Sequence, residues 1–166
     1  MKNEHNTDNV EILVTGPIIM NGGIRGTETV IEELINEAKH EIHLVSYLFT
    51  SKALHILELI KEASERGVKV TIIVNDIESQ EHKIVSELKA MSLSFPYVKV
   101  YDFKDPKNRP LHAKIIISDR NKAVVGSANF SWGGLYTNYE IGLLIKGPIV
   151  WELSEVVDNL TSYCVP

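Results

Sequence analysis

The chain has 166 residues, 44% of them hydrophobic and 23% charged, which suits one folded domain with its own core. A formal net charge of −5 excludes a generic polyanion binder, and a lone cysteine, Cys164, excludes an intrachain disulfide. No apolar run approaches the ~20 residues that span a bilayer, and the start MKNEHNTDNVEI lacks a basic and then apolar signal pattern, so a cytoplasmic location without stable membrane association is expected.

In chain order, residues 1–9 read as disordered and residues 10–166 as a single domain. Val10 to Thr15 is a short apolar strand ended by Gly16 and Pro17. The Gly-rich stretch NGGIRGT, residues 21–27, matches neither the Walker nor the dinucleotide pattern. It reads as a loop near a site mouth, with Arg25 as a candidate substrate-binding arm. Thr27 can cap a helix to about Lys39, with Val30, Ile31, Leu34, Ile35 and Ala38 on one face. EIHLVSYLF, Glu41 to Phe49, predicts a strand buried on both faces. Thr50 or Ser51 caps a second helix to Arg66, and Gly67 supplies a left-handed stop. VKVTIIV, from Val68, is a central strand; a third helix runs from about Ser79 to Met91, and Tyr97 to Phe103 forms another strand.

Strands separated by helical crossovers predict an α/β fold. Closing antiparallel hairpins make its sheet mixed. The expectation is a mostly parallel sheet flanked by helices on both faces. Pro148 suits the start of a last helix.

From Val98 to Lys122 there are seven basic residues against three acidic ones. The stretch includes Lys107 and Arg109 in the loop DPKNRP. This excess either steers a phosphate backbone or is an ordinary solvated surface. No His lies in a recognisable zinc spacing, so no metal and no cofactor is expected.

Between Leu111 and Gly147 the residues form the pattern H-x-K-x4-D-x6-G-S-x-N, carried by His112, Lys114, Asp119, Gly126, Ser127 and Asn129. Glu140 follows eleven residues after Asn129. A neutral imidazole can attack phosphorus and form a covalent phosphohistidine. Lys114, two residues along a strand, points to the same place and can neutralise a nonbridging phosphate oxygen. Ser127 and Asn129, also two apart, supply further donors. Glu140 can accept a proton from the second ring nitrogen of His112 and so fix its tautomer. Asp119 opens the turn DRNK and Gly126 permits a close backbone approach, so both shape the site. Trp132 and Tyr136, just beyond Asn129, either stack a base or pack under the loop.

The pattern resembles the HKD signature of the phospholipase D superfamily. One copy in a short chain is most similar to the small bacterial single-motif nucleases of that superfamily. The resemblance implies that Asp119 is structural and that single-motif members dimerise. The chemistry asks for the same, because the leaving oxygen needs a second acid. A homodimer would give one His112 from each chain to a single shared site. Three readings follow. The first is a metal-independent nuclease acting on DNA or RNA. The second is a phospholipase or phosphatidyl transferase. The third is a nucleic-acid-binding subunit of a bacterial defence system with weak or gated activity.

Overall fold

The computed structural model describes residues 8–17 and 23–165. The strands are β1 (Asn9–Thr15), β2 (Arg25–Gly26), β3 (Glu41–Ser46), β4 (Lys69–Asn75), β5 (Val98–Phe103), β6 (Ile115–Ser118), β7 (Lys122–Gly126), β8 (Glu140–Lys146) and β9 (Cys164–Val165). The helices are α1 (Thr27–Glu37), α2 (Leu54–Glu65), α3 (His82–Ser94) and α4 (Ile149–Leu160). All nine strands join one sheet in the order β2-β1-β8-β7-β6-β3-β4-β5-β9.

The sheet is mixed, as expected, but its balance is not. Three pairings among the described residues are parallel and five are antiparallel. The helices α2 and α3 carry the chain over from β3 to β4 and from β4 to β5, which makes those pairs parallel. The tight turn between β6 and β7 makes that pair antiparallel, and the 127–139 segment, with its helical turn Gly133–Thr137, folds back at the same end of the sheet so that β8 runs antiparallel to β7. The sequence pattern had weighted the crossover half too heavily.

Helices cover both faces. Val30, Ile31, Leu34 and Ile35 of α1 are buried in the larger core with α2 and α3 residues such as Leu57, Ile60 and Leu88. Their spacing is that of one helix face, and truncating Leu34 to Ala would cost about 2–5 kcal/mol. The other face is covered by α4, whose Val150 and Val157 pack on Val45, Ile73, Ile117 and Ala123. Near the sheet centre β3 is buried on both sides, as its unbroken apolar run predicts.

Several boundaries differ from the sequence reading. β1 begins at Asn9, which pairs with Lys146, and the Asp8 carboxylate accepts the Ile149 N–H. The rest of the expected disordered start, residues 1–7, lies outside the described residues, as do residues 18–22, which include the first two of the Gly-rich stretch. Thr27 is the first helical residue rather than the cap, and its hydroxyl is buried without a partner. β3 stops at Ser46, and Tyr47 to Phe49 leave the sheet. A 3-10 turn, Ser51–Ala53, precedes α2, and another, Ile77–Ser79, precedes α3. Gly67 takes φ +89°, the left-handed stop expected of it. Cys164 belongs to an edge strand that the sequence did not suggest; its thiol donates to the Leu160 carbonyl, and burial pushes its pKa up.

Candidate active site

Backbone pairing sets Leu13, Gly142, Gly126 and Lys114 side by side across four neighbouring segments. The two facing glycines leave a bare strip of backbone beside Lys114. A Cβ on Gly126 would lie 2.8 Å from the Gly142 Cα and 3.0 Å from the Ile141 carbonyl oxygen, so only glycine fits. This is the close approach expected for Gly126.

His112 sits just before β6 and is exposed. The Leu111 N–H donates to the Asn75 side-chain oxygen at 2.8 Å, tying the residue before His112 to the end of β4. The Lys114 ammonium donates to the His112 carbonyl at 2.7 Å and lies 2.9 Å from its Nδ1 and 3.3 Å from its Nε2. An ammonium has no lone pair, so the ring nitrogen it bonds must accept, as a neutral imidazole can. Burial pushes the Lys114 pKa down, and the Glu140 charge opposes that only in part. Lys114 and His112 therefore do share one place, as the i, i+2 spacing predicts.

The Ser127 hydroxyl donates to the Glu140 carboxylate, and the Asn138 amide donates to the same group at 3.2 Å. The expected bond from His112 to Glu140 is not formed within the chain. Glu140 opens β8, and β7 lies between it and the His112 segment, so the side chain within its reach is Ser127. Glu140 acts here by aligning Ser127 and by its charge on Lys114. The Asn129 side-chain oxygen is buried and has no partner, so that end of the amide is not occupied by the fold.

Asp119 is far from this chemistry. Its carboxylate accepts the N–H groups of Lys39 (2.9 Å), His40 (2.7 Å) and Glu41 (3.0 Å), where the chain passes from α1 into β3. Burial pushes its pKa up, but those three N–H donors outweigh it and hold the carboxyl below the usual range. Asp119 and Arg120 both take positive φ in the tight β6–β7 turn. The expected structural part for Asp119 thus has a definite form.

The candidate substrate contacts divide. Arg25 lies between Glu33 and Glu11 on the outer β1–β2 edge, with Glu11 four residues along β1 from Thr15, the partner of Glu140. Its charge is neutralised away from the site, which corrects the expected arm. Lys107 and Arg109 precede His112 in an exposed loop, where Arg109 forks onto Asp105 and draws that carboxyl down to about 2. Trp132 is 53% exposed and Tyr136 is not, with their rings 4.5 Å apart. The Tyr136 hydroxyl donates to Glu28 at 2.6 Å. Burial, and then the Glu28 carboxylate beside it, push the Tyr136 pKa up.

His55 lies in no recognisable zinc spacing, yet the fold brings its imidazole to 3.4 Å from Glu28 and 3.7 Å from Glu32. Among the described residues, these three form the group whose donor atoms could hold a metal ion. Glu28 and Glu32 come from α1 and His55 from α2, so no linear spacing could have shown the group.

Three residues were missed. Tyr47 packs its ring 4.4 Å from the His112 ring, and Asn75 anchors Leu111. The buried Gln80 side chain bonds the Phe49 N–H and the Tyr47 and Asn75 carbonyls, which holds the Tyr47 and Asn75 segments together. Tyr47 and Asn75 lie at the carboxyl ends of parallel strands, the usual ligand side of such sheets, and that position was a usable signal. Gln80 offered none.

A family model described as "Cardiolipin synthase, PLD-like domain" matches residues 31–163. The chain belongs to this PLD-like family. The PLD-like domain is 31% identical over 152 residues to "DISARM protein DrmC" of Bacillus paralicheniformis, covering 91% of this chain and 62% of that protein. It therefore spans less than two thirds of that relative. Among solved structures it superposes on NucT from Helicobacter pylori with a TM-score of 0.77 and 22% identity, covering 96% of this chain and 99% of that one. Nuc from Salmonella typhimurium, a phospholipase D family member, gives 0.75 and 19% identity, covering 96% and 97%. At those identities the structures establish a shared PLD-like fold.

Proposed function

We propose that this PLD-like domain is a metal-independent phosphodiesterase that hydrolyses phosphodiester bonds of nucleic acid at a site shared by two copies of the chain. The observation that carries the reading is the exposed His112 imidazole held against the Lys114 ammonium, with Ser127 just beyond β7, Asn129 in the β7–β8 connection and Glu140 opening β8. A ring nitrogen of His112 attacks phosphorus while the bond to the leaving oxygen breaks. Lys114 and the Asn129 amide N–H stabilise the charge on the nonbridging oxygens, joined by Ser127 once its hydroxyl turns from Glu140 to the phosphate. The second copy's His112, protonated, gives its proton to the leaving oxygen and then takes one from the water that cleaves the phosphorus–nitrogen bond.

An apolar strip supports the dimer. Val10 and Ile12 of β1 and Ile141 and Leu143 of β8 share the sheet face that α4 covers only farther along, and all four are exposed. Ile141 adjoins Glu140, so a copy docked on this strip would approach the site. The likeness to Nuc and NucT supports nucleic acid as substrate. A second reading rests on the likeness to a DISARM protein, which supports a subunit of a bacterial defence complex whose activity is gated by partners.

The test is incubation in EDTA with labelled single- and double-stranded DNA and RNA, and with phosphatidylcholine. Nucleic acid should be cut, and His112→Ala should cut nothing. Turnover of phosphatidylcholine alone would overturn the substrate, and activity restored only by a divalent ion would overturn the mechanism. Excess His112→Ala protein should suppress wild-type activity toward the square of the wild-type fraction, whereas a self-contained monomer would lose it in proportion to dilution.

A further inference from the structure

Lys114 has an unusual seat. It is 7% exposed, yet no carboxylate bonds it among the described residues. Its ammonium rests 5.1 Å from the centre of the Tyr47 ring, and the same ring lies 4.4 Å from the His112 imidazole at an interplanar angle of 48°. The titratable groups facing it are His112 on its own segment, Tyr47 at the end of β3 and Glu140 on β8.

We infer that Tyr47 is a positioning residue whose aromatic face keeps Lys114 charged and packs His112 against it, in the reaction proposed above. A negative ring face attracts an ammonium most strongly where water is scarce. The seat is itself fixed. Gln80 bonds the Tyr47 carbonyl and the Phe49 N–H, and the same amide bonds the Asn75 carbonyl beside the Leu111 anchor. Ring, nucleophile and ammonium are thus held from one brace. A phosphate entering the site would draw Lys114 off the imidazole and free the ring nitrogen it occupies, while the ammonium stays over the ring. Burial opposes the charged form of Lys114, so removing the ring face lowers the pKa of Lys114 further.

The experiment is a series at position 47: Tyr47→Leu, Tyr47→Phe, and Phe carrying one, two and three ring fluorines. Fluorination weakens the face charge and nearly preserves shape, so the series holds even where Tyr47→Leu folds poorly. The Lys114 pKa is read by NMR of its ε-carbon, and kcat, KM and the alkaline limb of the pH profile are read on labelled DNA. Each fluorine should move the Lys114 pKa and the alkaline limb to lower pH, with Tyr47→Leu shifted by about one unit. Tyr47→Leu should lower kcat about tenfold more than KM changes, which corresponds to about 1.4 kcal/mol. Tyr47→Phe should restore most of that loss. A Lys114 pKa that ignores fluorination would overturn the inference. The NMR reading needs no turnover, so absence of phosphodiesterase activity would sink the proposed function and leave this inference to stand or fall by itself.

Discussion

His112 and Lys114 stand at one end of β6 and Asp119 stands at the other, with the whole of the strand between Lys114 and Asp119. At the Asp119 end most polar groups answer one another. Asp119 takes three backbone N–H groups, Arg120 bonds Glu41, Asp158 and Glu155, and the buried His43 meets Asp158 at 3.0 Å through Nε2, its Nδ1 being the exception without a partner. At the His112 end they do not. The imidazole is exposed, the Asn129 oxygen has no partner, and the Lys114 ammonium lies on a ring nitrogen and a π face instead of a carboxylate. Polar groups left incompletely answered are available to a ligand, and those fully answered hold the fold.

The largest effects should separate the two ends. His112→Ala should abolish nuclease turnover while leaving the melting temperature within a degree or two. Asp119→Ala should do the reverse, losing roughly 2 kcal/mol of stability for its unanswered N–H groups and keeping most activity well below its melting point. An Asp119→Ala protein that melts like wild type but is inactive would erase the contrast.

Next come the charge stabilisers. Lys114→Ala should nearly abolish turnover. Ser127→Ala and Asn129→Ala should each lower kcat by ~10²-fold to 10³-fold or less, the usual loss for one oxyanion donor. Steady-state kinetics on labelled DNA in EDTA checks both. Asn129→Ala at wild-type kcat would mean that the amide N–H is not an oxyanion donor.

A smaller effect sharpens the structural end. The Asp119 carboxyl is held below its ordinary value in the fold, so its stabilisation is complete above the unfolded pKa of about 3.9 and is lost as pH falls through the lower folded value. Wild type and Asp119→Asn should differ most in melting temperature near neutral pH and converge in acid once the pH falls through the lowered folded value. A gap that persists in acid would assign the effect to packing.

The smallest effects concern the two outlying candidates. Arg25→Ala should change kcat/KM less than about twofold, since Glu33 and Glu11 already neutralise Arg25. Trp132→Ala should raise KM for single-stranded substrate severalfold with little change in kcat, the loss of one stacking face. A large loss from Arg25→Ala would restore it as a substrate arm.

Local pattern was enough for much of this protein. The alternation and spacing of apolar residues placed β3, β4, β5, α1 and α2 to within a few residues, because burial of one face is written along the chain. The i, i+2 spacing put His112 and Lys114 together, because a strand returns to the same face every second residue. The turn chemistry of DRNK identified Asp119 as structural for the same local reason. What the tertiary structure alone decided involves pairs distant in sequence. Tyr47 meets His112 across 65 positions. Glu140 bonds Ser127 because β7 intervenes, Arg25 is drawn to the β1 edge by two carboxylates, and Glu28, Glu32 and His55 converge from two helices. The antiparallel majority of the sheet has the same origin. Strand neighbours are set by how connections fold back and what they bury, and neither is encoded in the periodicity of any single segment.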